Sequence, residues 1–452
     1  MNQALRRTCR WLAALSSVIG IAAWGQSPGS QVSPKISVPS QEGVARPLTN
    51  GSSQVDVVIG WNNLALNAIR AGKTPPPIAS RALAILHASI YDAVNGIDRR
   101  YEAYFVESAV PASASKEAAA SAAAHRVLIT LFPAIALGFD DLHAAILRSI
   151  PNGPQKSAGI AWGESVADEI LASRTGDGSQ ATVPPPTGNG PGAWQPTPPA
   201  FAPYLLPQWG FVAPFAMSNS SQFRPPGPPA LGSAKFAADY NEVKTLGAAV
   251  GSARTPEQDL IALFWGDGSG TETPSGHWNS IAQEVAAAMG NTMEENARLF
   301  ALLNIAMADA AICSWDAKYA YNFWRPVTAI RNGQTDGNDA TVADPSWSSF
   351  IITPPFPDYT SGHSTFSGAA STVLARFYGT DNIAFTIGSD FLPGVTRSFT
   401  SFSAAASEAA LSRIYGGIHF RSASEDGLAS GVAIGEFTFE NYLQPKGNRS
   451  RK

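Results

Sequence analysis

The chain has 452 residues, of which 44% are hydrophobic and 15% are charged. This composition supplies enough apolar side chains for a large core, so it excludes a disordered or fibrous protein. The formal net charge of −4 shows no basic excess and argues against nucleic acid as a partner.

The N-terminal segment has the pattern of a secretory signal. Arg6, Arg7 and Arg10 precede an apolar run that ends in the small residues Ala23 and Gly25. We therefore expect a signal peptide over residues 1–25 and a secreted or periplasmic mature protein. The Arg6-Arg7 pair also fits twin-arginine export, so the Sec and twin-arginine routes both stay open.

Removal of this signal changes what remains in the mature chain. The formal net charge moves from −4 to −7 because three arginines and no acids are lost. Cys9 leaves with the signal, so Cys313 has no partner for an internal disulfide. Residues 26–55 are expected to form a flexible N-terminal segment.

From residue 56 onward, apolar residues recur at helical spacing, and strand-like alternation is scarce. The pattern predicts an all-α protein, a helical bundle without internal repeats. The predicted helices lie at 56–71, 79–97, 115–132, 137–150, 156–174, 233–250, 256–265, 278–289, 294–318, 362–378, 403–415 and 424–442. We find no apolar stretch with the eighteen or so residues of a membrane span and expect a soluble mature protein.

A segment rich in proline and aromatic residues interrupts the helices at about 175–232. Flexible linkers are rich in glycine and serine instead, so this composition predicts an extended strap packed against the helices. The aromatic residues expected to pack are Trp194, Phe201, Tyr204, Trp209 and Phe211. The strap could divide the helices into two halves, but a single domain over 56–445 is the favoured interpretation.

The first block with possible chemistry spans 315–331. Lys318 and Arg325 are seven residues apart, which places two cations on one helical face about 10 Å apart along the axis. Pro326 disfavours helical geometry at Arg325, so the helix is expected to end or kink there. The pair could hold an anion or could be two solvated cations, and neighbouring aromatic residues such as Trp315 favour the first.

Two Ser-Gly-His triplets occur in the chain, one ending at His277 and one within the second block, 354–366. Ser361 and Gly362 open a predicted helix, whose N-terminus offers a hydroxyl, free N–H groups and the positive dipole end to an oxyanion. His363 could then act as a general acid or base. The alternative is a simple cap and turn.

The third block, 411–421, contains Arg413 and His419. Six residues on a straight helix would place them on different faces, but Gly416-Gly417 can break the helix and let His419 turn back. A buried histidine with a structural arginine is the alternative.

In this order the three blocks resemble the signature of the vanadium-dependent haloperoxidases and type 2 phosphatidic-acid phosphatases, Lys-x6-Arg-Pro, Pro-Ser-Gly-His and Ser-Arg-x5-His. Only Thr360 departs, since the family has proline there. The family places its triplet between the other two blocks, which selects His363 over His277. His277 could line the pocket, although we favour the interpretation that it caps the following helix. His87, His125 and His143 are expected to be packing or surface residues.

The resemblance implies a helical bundle of the haloperoxidase/acid-phosphatase type and a role for each matched residue. The residues expected to hold vanadate or phosphate are Lys318, Arg325, Ser361, Gly362 and Arg413. His419 would coordinate vanadium or attack phosphorus, and His363 would be the acid–base group. Trp315 and Phe356 resemble apolar pocket residues of chloroperoxidases.

Two enzyme activities share such a site. Phosphatases of this superfamily extend the last block to His-x3-Asp, whereas position 423 is alanine here. We therefore expect a vanadate enzyme that uses hydrogen peroxide to oxidise halide and modify a small organic acceptor, with a homodimer possible. The alternatives are a secreted acid phosphatase acting on phosphate esters and a non-catalytic oxyanion-binding protein.

Overall fold

The computed structural model describes residues 56–447, except 109, 111, 136 and 137. Most of these residues are helical, which confirms the all-α prediction. The expected signal peptide (1–25) and N-terminal segment (26–55) lie outside the described residues.

The twelve predicted helices are all present, with ends that differ by a few residues. In the described part of the chain the helices are α1 Val57–Gly72, α2 Pro76–Asp98, α3 Lys116–Leu131, α4 Phe139–Ser149, α5 Pro154–Ser173, α6 Ala234–Leu246, α7 Pro256–Phe264, α8 Thr273–Met289, α9 Met293–Tyr321, α10 Pro326–Arg331, α11 Gly362–Tyr378, α12 Phe402–Tyr415 and α13 Arg421–Asn441. The short α10 is additional to the prediction. It begins at Pro326, where a missing backbone N–H does not interrupt helical hydrogen bonding.

Helix α9 is the central element and carries Lys318 near its C-terminal end. It starts at a capping box in which Thr292 and Glu295 bond each other's backbone N–H. By length and composition alone it could cross a membrane, and it is the single helix of this kind among the described residues. However, 94% of its apolar window is buried inside the protein, as in the core helix of a soluble protein.

The main hydrophobic core extends from Val57 to Leu443, and α9 packs in it against α2, α11 and α13. Helices α11 and α13 approach closely: a Cβ on Gly431 would lie 2.2 Å from the carbonyl oxygen of Thr365. This contact fixes the helix that begins next to Ser361. Cys313 of α9 is also buried here, with Sγ 3.5 Å from the hydroxyl of Ser430.

Between α5 and α6, the strap contains one short 3₁₀ turn, Trp209–Phe211. Trp194 and Trp209 are buried as expected, but Phe201 and Phe211 are 61% and 70% exposed, so the packing predicted for them was wrong. The carbonyl of Leu205 accepts hydrogen bonds from Trp315 Nε1 and Tyr319 Oη of α9. Part of the strap therefore lies directly beside the end of α9 that carries Lys318.

A two-stranded antiparallel hairpin, β1 Phe385–Gly388 and β2 Thr396–Phe399, was not predicted. Phe385 pairs with Phe399, whose ring lies 6.0 Å from that of Trp265. Strands of four residues give too short an alternation to be recognised against helical neighbours. The hairpin helps to fix the loop after α7, which reaches the candidate site.

Candidate active site

The three sequence blocks converge because each places a helix end at the same region. Helix α9 ends at Tyr321 with Asn322 in a left-handed conformation, and Arg325 is extended just before α10. The predicted helix break before Pro326 is therefore present. Helix α9 ends at Tyr321, whereas the proline alone would allow the helix to continue three residues further. Lys318 and Arg325 no longer share a helical face, yet both point into the same buried region.

The link between α12 and α13 reverses the chain as expected from Gly416-Gly417. Gly417 has φ +76°, and a Cβ there would lie 2.2 Å from the carbonyl oxygen of Gly247. Only glycine fits both the backbone conformation and the close approach. The amide of Ile418 donates to the carbonyl of Arg413 at 3.1 Å, which brings His419 back beside the end of α12.

Arg325 is fully buried and is held by backbone groups. Nε donates to the carbonyl of Phe356 at 2.7 Å, and Nη1 donates to the carbonyl of Ile418 at 2.6 Å and lies 3.0 Å from His419 Nε2. Nη2 is buried and has no hydrogen-bond partner among the residues that the structure describes. A buried guanidinium N–H without an acceptor is costly, so the site as built is complementary to an additional acceptor such as an oxyanion.

Lys318 is also fully buried, and its ammonium group donates to the carbonyls of Pro357, Asp358 and Thr360. These bonds fasten the segment that leads to Ser361. Burial, together with the charge of Arg325, lowers the pKa of Lys318 well below that of an exposed lysine. A bound anion would offset both effects.

Arg413 completes the group of three buried cations. Its Nε bonds the hydroxyl of Ser412 at 3.0 Å, Nη2 donates to the carbonyl of Trp265, and Nη1 lies 3.2 Å from His363 Nε2. Burial lowers the pKa of Arg413 to about 10. Burial also lowers the pKa of Arg325 to about 10, so the protein interior opposes both charges unless an anion is near.

Ser361 and Gly362 form the N-terminus of α11, as predicted. Ser361 is the N-cap, and its Oγ accepts from the amide of Ser364 at 3.4 Å and from the hydroxyl of Ser364 at 2.9 Å. Oγ of Ser361 is the acceptor in both bonds, so its own hydroxyl hydrogen can be donated to an oxygen of a bound anion. The amides of Gly362 and His363 belong to the first turn, where helical partners are lacking.

His363 has 18% of its side chain exposed, more than the three cations. Because Arg413 can only donate, Nε2 of a neutral His363 carries the lone pair. Burial and the charge of Arg413 lower the pKa of His363 well below its usual value. Oδ2 of Asp267 lies 3.8 Å from Nε2. When the ring of His363 is protonated, this carboxylate is the nearby negative charge that pairs with it.

The tautomer of His419 follows from its neighbours. Arg325 Nη1 lies 3.0 Å from Nε2 and 3.5 Å from Nδ1, and this closer approach of a group that can only donate favours the lone pair on Nε2 and the hydrogen on Nδ1. Nδ1 lies 2.9 Å from Oδ1 of Asp358, although neither carboxylate oxygen has a well-aligned hydrogen bond in this arrangement. Burial raises the pKa of Asp358 to about 7, against the opposing charges of Arg325 and Lys318.

His277 does not cap a helix, so that interpretation was wrong. Helix α8 begins at Thr273, which places His277 inside it, fully buried. Its ring stacks on Trp265 at 4.7 Å, and Nδ1 lies 3.2 Å from Oδ1 of Asp267. Burial opposes protonation of His277, but Asp267 and other nearby carboxylates together outweigh burial and raise the pKa of His277. His277 therefore approaches the site through Asp267.

Trp315 and Phe356 form an apolar wall beside the cations. Their ring centroids are 4.9 Å apart, and a Cβ on Gly362 would lie 3.5 Å from the Trp315 ring. The Lys318 ammonium and Arg325 guanidinium lie 4.9 Å and 4.8 Å from the Phe356 centroid. This packing excludes water from one side of the charged groups and strengthens their electrostatic interactions.

The structure thus brings together all seven residues predicted to act on the anion or in catalysis, and it adds two carboxylates that sequence reasoning missed. Asp267 lies in the loop after α7, and Asp358 lies five residues before His363. An acid inside the otherwise apolar and proline-rich PPFPDYTSGH stretch was the available signal for Asp358. The other histidines, His87, His125 and His143, lie elsewhere, in contact with Asn62, Asp140 and Ser121.

Comparison with known proteins identifies similar chains and folds. Residues 298–446 match the family described as the VCPO second helical-bundle domain. The chain is 29% identical over 428 residues to the vanadium chloroperoxidase of Curvularia inaequalis, an alignment that covers 75% of this chain and 70% of that protein.

Solved structures give the same picture. A crystal structure described as the first bacterial vanadium-dependent iodoperoxidase has a TM-score of 0.76 and 31% identity, covering 86% of this chain and 97% of that one. The holo-type structure of a bacterial vanadium-dependent chloroperoxidase has a TM-score of 0.65 and 18% identity, covering 81% and 92%. At 18% identity the likeness concerns the fold alone.

Proposed function

This chain belongs to the vanadium haloperoxidase family, and we propose that it binds vanadate and uses hydrogen peroxide to oxidise a halide ion to a hypohalous-acid equivalent. The observation that carries the proposal is a group of three buried cations in which Nη2 of Arg325 has no acceptor within the described part of the chain. The reaction consumes one proton, one peroxide and one halide and releases water.

Each residue of the site has a place in holding vanadate. Lys318, Arg325 and Arg413 would balance its negative charge, while the Ser361 hydroxyl and Gly362 N–H would donate to its oxygens. His419 would bind vanadium through the lone pair of Nε2, with Arg325 Nη1, now 3.0 Å from that nitrogen, donating to a vanadate oxygen instead. Each charge-assisted hydrogen bond contributes roughly 1.5–3 kcal/mol, so several together give tight binding. Bound vanadate would supply the electrophilic centre at which peroxide is activated.

His363 provides the proton transfers. In its neutral form, Nε2 can accept a proton from hydrogen peroxide as peroxide binds. Asp267, 3.8 Å from the same nitrogen, then stabilises the imidazolium until the proton is returned to the departing oxygen. Because His363 is the partly exposed member of the site, it can also exchange its proton with solvent.

The cations and the apolar wall act on the halide. The buried cations would favour the approach of an anion such as a halide, and Trp315 and Phe356 would provide an apolar surface beside it. The relatives carry the names of a chloroperoxidase and an iodoperoxidase, so chloride, bromide and iodide are all candidate substrates. The hypohalous-acid equivalent would then halogenate a small organic acceptor.

A phosphatase is the second candidate, and one observation favours it. The approach of Asp358 to His419 supplies a carboxylate behind the histidine that would attack phosphorus, although position 423 is alanine. The missing His-x3-Asp pattern is therefore weaker evidence against phosphate-ester hydrolysis in the structure, where Asp358 is near His419, than in the sequence alone.

The deciding experiment starts with protein stripped of metal by a chelator in phosphate-free buffer. Halogenation of a dione dye is measured with hydrogen peroxide and each halide, with and without orthovanadate. Activity that appears only with vanadate supports the haloperoxidase. Hydrolysis of p-nitrophenyl phosphate that vanadate inhibits, without halogenation, would replace it by the phosphatase, and anion binding without either turnover would leave a binding protein.

We also propose that residues 1–25 direct export and that two copies can pair. Fractionation of cells that express the full chain, with N-terminal sequencing of the product, tests cleavage and location. Light scattering of the purified chain tests pairing. An uncleaved cytoplasmic product, or a monomer at all concentrations, would contradict the respective proposal.

A further inference from the structure

The carboxylate of Asp358 lies behind the histidine that we expect to bind the anion. Asp358 and His419 are both almost completely buried, with Oδ1 and Nδ1 2.9 Å apart. Arg325 Nη1, which can only donate, lies 3.0 Å from Nε2 and 3.5 Å from Nδ1. The Nδ1–H tautomer puts the hydrogen on the nitrogen nearest Asp358 and the lone pair on Nε2, although the Nδ1–H is not well aligned with either carboxylate oxygen.

We propose that Asp358 is a positioning residue for His419, which holds the Nδ1–H tautomer and aims Nε2 at the bound anion. This inference rests on the proposed function, in which His419 binds vanadium or attacks phosphorus. Carboxylates that accept a hydrogen bond from a ligating histidine fix the ring and raise its basicity. Asp358 would have this role although it lies in the loop before Ser361, whereas the His-x3-Asp pattern takes its carboxylate from the segment just after the histidine.

The backbone of Asp358 is anchored on both sides, which makes such a role possible. Its amide donates to the carbonyl of Phe323 at 2.9 Å, and its carbonyl accepts from the Lys318 ammonium at 3.1 Å. The residue is thus tied to the segment that carries Lys318 and Arg325. Its side chain has little freedom to leave His419.

A His-x3-Asp pattern would place its carboxylate at position 423. In this chain, position 423 is an alanine with a structural role. Ala423 is fully buried in a second hydrophobic cluster, and its carbonyl accepts the amide of Ser361 at 2.8 Å. This bond fastens the N-cap of α11 to the start of α13. The carboxylate is therefore brought to His419 from a residue 61 positions earlier in the chain, by the fold.

A different role for Asp358 would be simple charge balance for Lys318 and Arg325. The two roles predict different behaviour for two variants. Asp358→Asn keeps an oxygen that can accept from Nδ1–H but removes the charge, whereas Asp358→Ala removes the acceptor as well. Positioning predicts that the asparagine variant resembles wild type, and charge balance predicts that both variants behave alike.

The first test reads the tautomer directly, without vanadate. Protein labelled with 15N in histidine is examined by two-bond 15N–1H correlation, and the His419 signals are assigned by their loss in His419→Ala. We expect the Nδ1–H tautomer in wild type and Asp358→Asn, and a mixture of tautomers in Asp358→Ala. An Nε2–H ring in wild type, or an unchanged tautomer in Asp358→Ala, would overturn the proposal.

The second test measures orthovanadate affinity by calorimetry, with no halide or peroxide. Asp358→Ala should weaken binding about 10- to 100-fold. The same substitution in a His419→Ala background should have no further effect, because the carboxylate acts through that ring. Equal losses in both backgrounds, or equal losses for alanine and asparagine, would refute positioning.

Asp426→Asn is the matched control. The carboxylate of Asp426 accepts a hydrogen bond at 2.7 Å from the hydroxyl of Tyr359, the residue that follows Asp358 in the chain. Within the described structure it does not contact His419. We expect its vanadate affinity to stay within about twofold of wild type. Failure of wild type to bind vanadate would refute the proposed cofactor, while the tautomer measurement would still decide the role of Asp358.

Discussion

His277 and His363, the histidines of the two Ser-Gly-His triplets, contact the same carboxylate. Oδ1 of Asp267 lies 3.2 Å from His277 Nδ1, and Oδ2 lies 3.8 Å from His363 Nε2. Asp267 and His277 are both buried, so solvent cannot replace either as a partner. The orientation of Asp267 toward His363 therefore depends on His277.

Replacement of His277 by phenylalanine tests this dependence. The variant keeps an aromatic ring against Trp265 but removes the Nδ1–H that holds Asp267. We expect the turnover number for halide oxidation to fall about 10-fold, with vanadate affinity nearly unchanged. His87→Gln is the matched control, because His87 is an equally buried histidine that bonds Asn62 away from the site. Wild-type turnover in His277→Phe would contradict the expectation.

The two site histidines should fail in different ways. His419→Ala should abolish halide oxidation and weaken vanadate binding, because it removes the ligating nitrogen. His363→Ala should lower turnover about 10²- to 10⁴-fold with a smaller effect on binding, as for loss of a general acid–base group. Steady-state kinetics and vanadate titration distinguish these outcomes. His125→Ala, a substitution near the surface, should leave both unchanged, and full activity in either site variant would refute its assigned role.

Arg325→Lys tests the orphaned donor. Lysine keeps the charge but cannot supply Nε, Nη1 and Nη2 to the separate acceptors that surround the guanidinium. We expect vanadate affinity to fall about 10- to 100-fold, which corresponds to roughly 1.5–3 kcal/mol. Arg331→Lys is the control, because Arg331 ends the short helix that follows Arg325 and bonds the carbonyl of Trp347. Equal affinity for Arg325→Lys and wild type would show that charge alone holds the anion.

His87 should make folding stability depend on pH. Burial lowers its pKa to about 3 from an ordinary value near 6.5, so the folded protein excludes a proton that the unfolded chain binds. The stability contributed by neutral His87 is fully present above pH 6.5 and is lost as the pH falls from 6.5 toward 3, by up to about 1.4 kcal/mol per pH unit.

Chemical denaturation of wild type and His87→Gln at several pH values checks this sign. The difference in unfolding free energy between the two proteins should change with pH below 6.5 and stay constant above it. A difference that does not vary between pH 4 and 7 would contradict the buried neutral state of His87.

Gly417→Ala should damage both stability and the site. A Cβ at this position would meet the Gly247 carbonyl oxygen at 2.2 Å, so the turn that returns His419 must shift. Gly379→Ala is the matched control: its φ of +73° is nearly the same as the +76° of Gly417, but no atom lies within 4 Å of the added Cβ. We expect about 1 kcal/mol for the control and clearly more for Gly417→Ala, with loss of vanadate binding only in the latter.

Local chemistry explains how much could be predicted. The helices follow from apolar spacing, and Pro326 and Gly417 marked the breaks that bring Arg325 and His419 to the site. Each of these signals acts within a few residues of itself. The order of the three blocks then indicated which triplet belongs to the anion site.

Contacts between distant segments could not be predicted in the same way. Asp358 meets His419, and Asp267 meets His363, only because segments far apart in the chain converge. For His277, a Pro-Ser-Gly sequence before it suggested a helix start, but Glu272 occupies the N-cap and the histidine enters the interior. Burial of a polar side chain depends on partners that no local pattern specifies.

The proposed function would expose the protein to the hypohalous-acid equivalent that it releases, so the positions of its sulfur-containing side chains affect how long it remains active. Burial raises the pKa of Cys313 to about 11, so the reactive thiolate is scarce and inaccessible. Among the methionines of the described residues, only Met289 has about half of its surface exposed. We therefore expect Met289, at the end of α8, to be oxidised to the sulfoxide first, and Cys313 to be oxidised only after the core unfolds.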